Sequence, residues 1–186
     1  MINNRKDYLY YLAEDAKAQR CPDINTIKGR VSYWLKLLSG SEDAHALHYL
    51  RALRKYEYAL SGGGKFYTLF YKVRWMRLGL RYGIHILPNT VGYGLRIPHL
   101  VGGIIINCQR MGNNCGVNGG VIIGSAKNKM PIIGDNVNIA IGAKVYGGIT
   151  IGNHVRIAPN SVVFKDIPDY SVVAGCESQI IRNKAI

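Results

Sequence analysis

A six-residue repeat fills the second half of the chain and restricts its fold more than any other feature. Aliphatic residues recur at every sixth position, at Ile133, Ile139, Val145, Ile151, Ile157 and Val163. A period of six fits neither an α-helix nor a straight alternating strand. It is typical of short strands joined by sharp turns, with three strands to a coil and successive coils stacked as a parallel β-helix. We predict about five such coils over residues 84–175.

The repeat is interrupted twice, and each interruption predicts an insertion. Between Ile123 and Ile133 the spacing is ten residues, so the polar segment GSAKNKMP should form an extruded loop. Between Ile97 and Ile105 the spacing is eight, so two additional residues should bulge from a corner. The bulge contains His99, whose side chain would stand off the wall of the coil and reach a ligand. An imidazole is partly free base at neutral pH, which suits a general base.

The first half of the chain has helical periodicity. Four helices are predicted: one after Asn3 or Asn4, one from Asp23 or Asn25 to Leu38, one opened by Ser41, and one over KFYTLFYKVRWMRLGLRYG. We therefore divide the chain into a helical N-terminal domain over residues 1–82 and a β-helix domain over residues 83–186, with the extruded loop at residues 125–132.

The chain is strongly basic, with 24 Lys and Arg against 11 Asp and Glu and a net charge of +13. This balance favours acidic partners such as nucleic acid, an anionic membrane or phosphorylated small molecules. The ordinary apolar content excludes a disordered chain, and no long apolar run indicates a membrane span. Without a leader pattern or paired cysteines, we expect a cytoplasmic protein with reduced thiols.

The fourth predicted helix is both basic and aromatic. Such a helix is typical of a membrane surface, which would place the protein at the inner face of the membrane. A helix packed on the first coil with its cations reaching into solvent would have the same composition. No nucleic-acid-binding motif accompanies the charge, so we expect no nucleic-acid partner.

The repeats resemble those of the left-handed β-helix acyltransferases, and SVVAGCESQIIR resembles their closing segment. The segment GIHILPNTVGYGLRIPHLVGGIIIN is similar to the serine acetyltransferase branch, and more so to the serine-acetyltransferase-like enzymes that modify bacterial polysaccharides. The resemblance covers residues 83–182. It implies an α-helical N-terminal domain followed by a left-handed parallel β-helix of hexapeptide repeats.

The resemblance also implies roles for individual residues. His99 matches the general base, and His85 matches the acidic residue that orients this base in the branch. Met130 stands where serine acetyltransferases carry a second histidine for the amino-acid substrate, and the loop is four residues shorter. Both departures count against serine as the acceptor. Ile186 matches the terminal isoleucine with which the true enzymes dock a partner, although one terminal residue is weak support.

Acetyl-CoA is the co-substrate that the resemblance implies, bound in a groove between two β-helices of a homotrimer. A dimer of trimers is left open. The positions that match the groove are Gly124, Ile141, Gly142, Arg156, Pro159, Lys165 and Arg182.

No metal is expected. His45 and His48 lie three positions apart on a predicted helix, but no third ligand follows from the sequence. A zinc site of the γ-carbonic-anhydrase kind needs histidines about 18 residues apart on neighbouring coils. His85, His99 and His154 do not have this spacing.

Together these features predict an O-acetyltransferase that moves acetyl from acetyl-CoA to a hydroxyl of a sugar in a bacterial polysaccharide or its precursor. The alternative within the family is a serine O-acetyltransferase. The alternative of another class is a catalytically weak β-helix scaffold that has lost its acidic partner residue.

Overall fold

The computed structural model describes residues 2–22 and 26–175, and it places four helices ahead of a parallel β-solenoid. The helices are α1 (Arg5–Ala18), α2 (Ile27–Leu38), α3 (Glu42–Leu60) and α4 (Lys65–Tyr82). The predicted fold class is therefore confirmed. The predictions for Arg182 and Ile186 lie outside the described residues.

Local hydrogen bonds explain where the helices begin and end. The Asn4 side chain accepts from the Asp7 N–H at 2.9 Å, as the first N-cap. In α2 the N-cap is Thr26, whose hydroxyl accepts from the Gly29 N–H at 3.0 Å, so the helix begins later than predicted. Gly83 ends α4 in the left-handed region, at a φ of 67°, which turns the chain into the first strand.

Short parallel strands form the three walls of the solenoid. They are β1 (Ile84–Ile86), β2 (Ile104–Ile106), β3 (Arg110–Met111), β4 (Gly116–Val117), β5 (Ile122–Gly124), β6 (Ile132–Ile133), β7 (Asn138–Ile139), β8 (Lys144–Tyr146), β9 (Thr150–Ile151), β10 (Arg156–Ile157), β11 (Val162–Val163) and β12 (Val172–Val173). Sheet 1 has the order β1-β2-β5-β8-β11, sheet 2 the order β3-β6-β9, and sheet 3 the order β4-β7-β10-β12.

Each sheet contributes one file of buried aliphatic side chains to the core. The file of sheet 1 consists of Ile86, Ile106, Ile123, Val145 and Val163, all at most 1% exposed. Between β6–β8 and β9–β11 the paired residues are 18 positions apart, as with Val145 and Val163 or Ile139 and Ile157, and in the final coil they are 16 apart, as with Ile157 and Val173. The six-residue repeat is thus confirmed as the inward file. Each buried side chain stabilises the fold by about 1.5–3 kcal/mol relative to its exposed state.

One prediction of the register was wrong. Ile105 points outward and is 42% exposed, whereas Ile104 and Ile106 are buried. Because Ile105 pairs with Ile122, the corner before β2 holds residues 98–103, and its equivalent on the next coil holds only residues 118–120. The bulge therefore contains three additional residues rather than two.

A buried ionic network joins the helices to the first coil. The Arg54 side chain is fully buried and donates from Nε to Asp15 at 2.9 Å and from Nη1 to Glu57 at 3.0 Å. It also donates to the backbone carbonyls of Val91 and Gly92, at 2.9 Å and 2.5 Å. Five donors on one planar group suit this arrangement. Buried apolar residues of α3 and Trp75 of α4 share one hydrophobic core with the solenoid, whereas Ala16 and Tyr33 belong to a separate cluster.

Candidate active site

Stacked corners form the edges of the solenoid, and two of these edges carry the candidate site residues. The histidine edge, between sheets 3 and 1, comprises residues 98–103, 118–120, 140–142 and 158–160. The loop edge, between sheets 1 and 2, comprises residues 125–131, 147–149 and 164–166.

His99 lies in the bulge of the histidine edge, with its side chain 61% exposed. The bulge rests on Gly119 of the next coil. A Cβ atom at Gly119 would collide with the Val101 carbonyl and lie 3.2 Å from the carbonyl of His99. Glycine is therefore required beneath the bulge, and the imidazole is directed away from the wall. The predicted placement of His99 on an outward bulge is what the structure shows.

A carboxylate from the helical half contacts His99. Glu42, the first residue of α3, has its Oε2 atom 2.9 Å from Nδ1 of His99. Its other oxygen accepts from the Leu100 N–H at 3.3 Å. The hydrogen bond from His99 lowers the pKa of the Glu42 carboxyl below its ordinary value. Glu42 is therefore ionised at neutral pH and holds both the ring and the backbone of the bulge.

His85 does not take the place of the acidic partner. It lies on the outward side of β1, and its ring is 6.2 Å from the ring of Trp75 in α4. Within the described residues, no hydrogen bond joins it to His99. The docking of α3 thus brings the Glu42 carboxylate, and not the His85 ring, into hydrogen-bonding contact with His99.

The residues assigned to the cofactor groove fall on different faces. Ile141, Gly142 and Pro159 share the histidine edge with His99, and Gly142 has the φ of 73° that such a tight corner requires. Gly124 ends β5 just before the loop edge, and Lys165 lies on that edge. Arg156 is exposed on β10 of sheet 3. One chain thus brings three of the matched positions to the edge that carries His99.

The extruded loop is a short hairpin on the loop edge. Ala126 and Lys129 form an antiparallel bridge. Lys127 and Asn128 between them both have φ near +60°, which is typical of a type I′ turn. Met130, at the base of the hairpin, is 38% exposed and presents an apolar side chain where an imidazole was sought.

The remaining histidines, His45, His48 and His154, contact tyrosine side chains. The His45 ring packs against Tyr82 at 5.2 Å, and His48 lies 3.3 Å from the Tyr82 hydroxyl. His154 stacks on Tyr170 at 4.8 Å, at a corner away from His99. In the described segments, no group of three His, Cys, Asp or Glu residues is arranged to hold a metal ion.

Sequence analysis missed Glu42 as a contact of His99. The available signal was the acidic pair Glu42-Asp43 at the start of a helix, which has an ordinary explanation in the helix dipole. Asp43 bonds Arg96 at 2.6 Å, three positions before His99. Both acids of this first helical turn therefore point at the segment that leads into the bulge.

Comparison with known proteins finds similarity to bacterial transferases. The family model described as bacterial transferase hexapeptide (six repeats) matches residues 130–165. The serine acetyltransferase of Staphylococcus xylosus is 42% identical over 105 residues, which is 54% of this chain and 49% of that protein. About half of the chain is thus similar in sequence to a serine acetyltransferase, and the chain spans about half the length of the curated relatives it matches.

The comparison with solved structures covers the helical half of the chain as well as the solenoid. The crystal structure of Neisseria gonorrhoeae serine acetyltransferase in complex with serine superposes with a TM-score of 0.66 at 27% identity, over 91% of this chain and 67% of that one. A serine acetyltransferase in complex with CoA gives a TM-score of 0.68 at 22% identity, over 92% of this chain and 68% of that one. The second likeness shows the fold alone.

Proposed function

We propose that this protein is an acetyl-CoA-dependent O-acetyltransferase with His99 as its general base. The observation that carries the proposal is the exposed imidazole on the bulge, held through Nδ1 by a carboxylate. A carboxylate accepts hydrogen bonds only, so Nδ1 of the neutral ring carries the proton and Nε2 has a free lone pair. This is the form that a general base needs.

The reaction follows from that lone pair. Acetyl-CoA supplies an acetyl group activated as a thioester. Nε2 of His99 accepts the proton of the acceptor hydroxyl as the hydroxyl oxygen attacks the acetyl carbonyl carbon. The carbon–sulfur bond breaks, and the imidazolium returns the proton to the departing sulfur. The products are an O-acetyl ester and free CoA.

Serine is the acceptor that the relatives favour. The preference for a polysaccharide sugar is not supported, since the relatives and solved structures described above are serine acetyltransferases. We propose L-serine as the main acceptor. A sugar hydroxyl is the second candidate because Met130 offers no charge or hydrogen bond of the histidine kind to an amino acid.

Release of CoA thiol in the presence of different acceptors tests the proposal. We expect kcat/KM for L-serine to exceed that for monosaccharides and nucleotide sugars by about tenfold or more. L-Alanine is the matched control, because it lacks only the hydroxyl. A sugar as the best acceptor would favour the polysaccharide function, and no release with any acceptor would favour the scaffold.

The placement of the groove residues supports a trimer. His99 and Ile141 lie on one edge of the prism, whereas Lys165 lies on another, so a single chain cannot bring them to one groove. Both edges carry exposed apolar side chains, with Val101 75% and Phe164 53% exposed. We propose that the histidine edge of one chain meets the loop edge of its neighbour, which makes the site shared.

Light scattering should then give three times the chain mass of 20.6 kDa, or a multiple of that value. Mixed trimers of His99→Ala and Gly124→Trp should recover part of the activity that each variant lacks alone, because some interfaces combine two intact edges. A fully active monomer would contradict the shared site.

Contact of α4 with an anionic membrane is a separate proposal. Opposite its buried Trp75, α4 presents a solvent-facing apolar arc, namely Phe66, Leu69, Phe70, Val73, Met76 and Leu80. Five cations and no acids accompany this arc within α4, which suits an anionic lipid surface. No described helix is long and apolar enough to cross a membrane. Co-sedimentation with anionic vesicles but not neutral ones is expected, and equal binding to both would contradict it.

A further inference from the structure

The contact between Glu42 and the bulge joins residues that are far apart in the chain. Glu42 and His99 are separated by 57 positions, and they meet because α3 begins beside the histidine edge. Both carboxylate oxygens are used, one by the His99 ring and one by the Leu100 N–H. A carboxylate bound at both oxygens has a fixed orientation, unlike a single exposed ion pair.

Other side chains of the helical half hold the segment that leads to His99. Gln19 donates to the Leu95 carbonyl at 2.8 Å, and the Gly94 N–H donates to Asp15 at 2.8 Å. These bonds are buried, so they fix the path of residues 94–95 relative to α1. The distance between α3 and the bulge is therefore set by the joint of the two halves rather than by two mobile side chains.

We propose that Glu42 is the positioning residue of the active site, and that the helical half supplies the acid which the solenoid lacks. The proposal rests on His99 being the base of the proposed acetyl transfer. Glu42 acts through His99: it keeps the proton on Nδ1 and directs the lone pair of Nε2 outward. Its role differs from a packing role because it determines which nitrogen is protonated.

The variant Glu42→Gln distinguishes a role in proton placement from a packing role, because the Leu100 N–H fixes the orientation of the amide. The amide retains one acceptor oxygen, and the Leu100 donor requires it. The amide NH2 then faces Nδ1 of His99, so Nδ1 must accept and the proton moves to Nε2. The base is lost although the shape of the side chain is kept. For a buried pair such a change lowers kcat by about 10⁴. His99 is largely exposed, so we expect a loss of about 10² in kcat with an unchanged KM for acetyl-CoA.

The experiment combines kinetics with ¹⁵N NMR of the histidine rings, with the His99 signals assigned from His99→Ala. In the wild type, Nε2 of neutral His99 should have the shift of an unprotonated nitrogen, and in Glu42→Gln that of a protonated one. Asp43→Asn is the matched control. It removes a neighbouring charge of the same helical turn and should leave the His99 tautomer unchanged.

The outcomes distinguish this inference from the proposed function. If Glu42→Gln keeps normal kcat and the wild-type tautomer while His99→Ala is inactive, the role of Glu42 is wrong and the base is retained. If His99→Ala is fully active, the proposed function itself is wrong, and the tautomer signals still report whether Glu42 orients the ring. An identical tautomer change in Asp43→Asn would mean that helix charge, and not contact, is responsible.

Discussion

Replacing His99 by alanine should lower kcat by about 10² to 10⁴, the usual contribution of a general base. The side chain is largely exposed on the bulge, and the backbone of the corner is held by Gly119 and Glu42 beneath and beside it. Its removal should therefore leave the fold and the acetyl-CoA site intact. Steady-state kinetics with varied acetyl-CoA should show an unchanged KM together with the loss in kcat.

The informative companion variant is His85→Ala. The family resemblance would give it a comparable loss, whereas the structure predicts less than about a tenfold effect because His85 faces outward beside Trp75. Equal losses in both variants would restore His85 to the site. Normal turnover in His99→Ala would remove the base altogether and favour a different catalytic group.

Arg54→Met should destabilise the protein by about 3–5 kcal/mol, because it leaves two buried carboxylates without their common partner. Asp15 and Glu57 are each at most 2% exposed. The carbonyls of Val91 and Gly92 would lose their donor as well. Since domains are stable by about 5–15 kcal/mol, a loss of this size should be obvious in urea unfolding at neutral pH.

Arg51→Met on the same helix serves as the control. Arg51 is half-buried and lies 5.2 Å over the ring of Tyr33, so its loss should cost about 1 kcal/mol or less. Similar urea midpoints for the two variants would show that the Arg54 network does not stabilise the joint between the halves.

The solenoid could be predicted from the sequence because its pattern is local. Outside the insertions, a side chain six positions onward lies one wall onward, so the buried residues are visible in the sequence as a period. The prediction failed at β2, where three consecutive isoleucines hide which of them faces inward. Ile105 was chosen by spacing, and only the pairing with Ile122 identifies Ile106 as the member of the file.

The site could be predicted only in part, for a related reason. His99 was found because it interrupts a local pattern. Ile141 and Pro159 were assigned to the groove by family resemblance, and they lie on one edge because they are 18 positions apart, which is one coil. Glu42 depends on how α3 docks against the first coil, and no local period encodes that contact. The buried charges of the joint were missed likewise, although Arg54 and Glu57 stand among apolar positions of α3.

The offset of 18 residues between β6–β8 and β9–β11 means that the two ends of the solenoid should tolerate changes of length differently. Coils at the carboxyl end contact only their neighbours, so their stabilities add nearly independently. A duplicated coil there would lengthen the prism without disturbing the joint that sets the Glu42–His99 distance. The first coil has no such freedom, since side chains of α1 and α3 and the Gln19 side chain hydrogen-bond its backbone from Ile86 to Leu100. We expect natural length variation among such chains to concentrate in whole coils after Ile139, with the amino-terminal joint kept at fixed length.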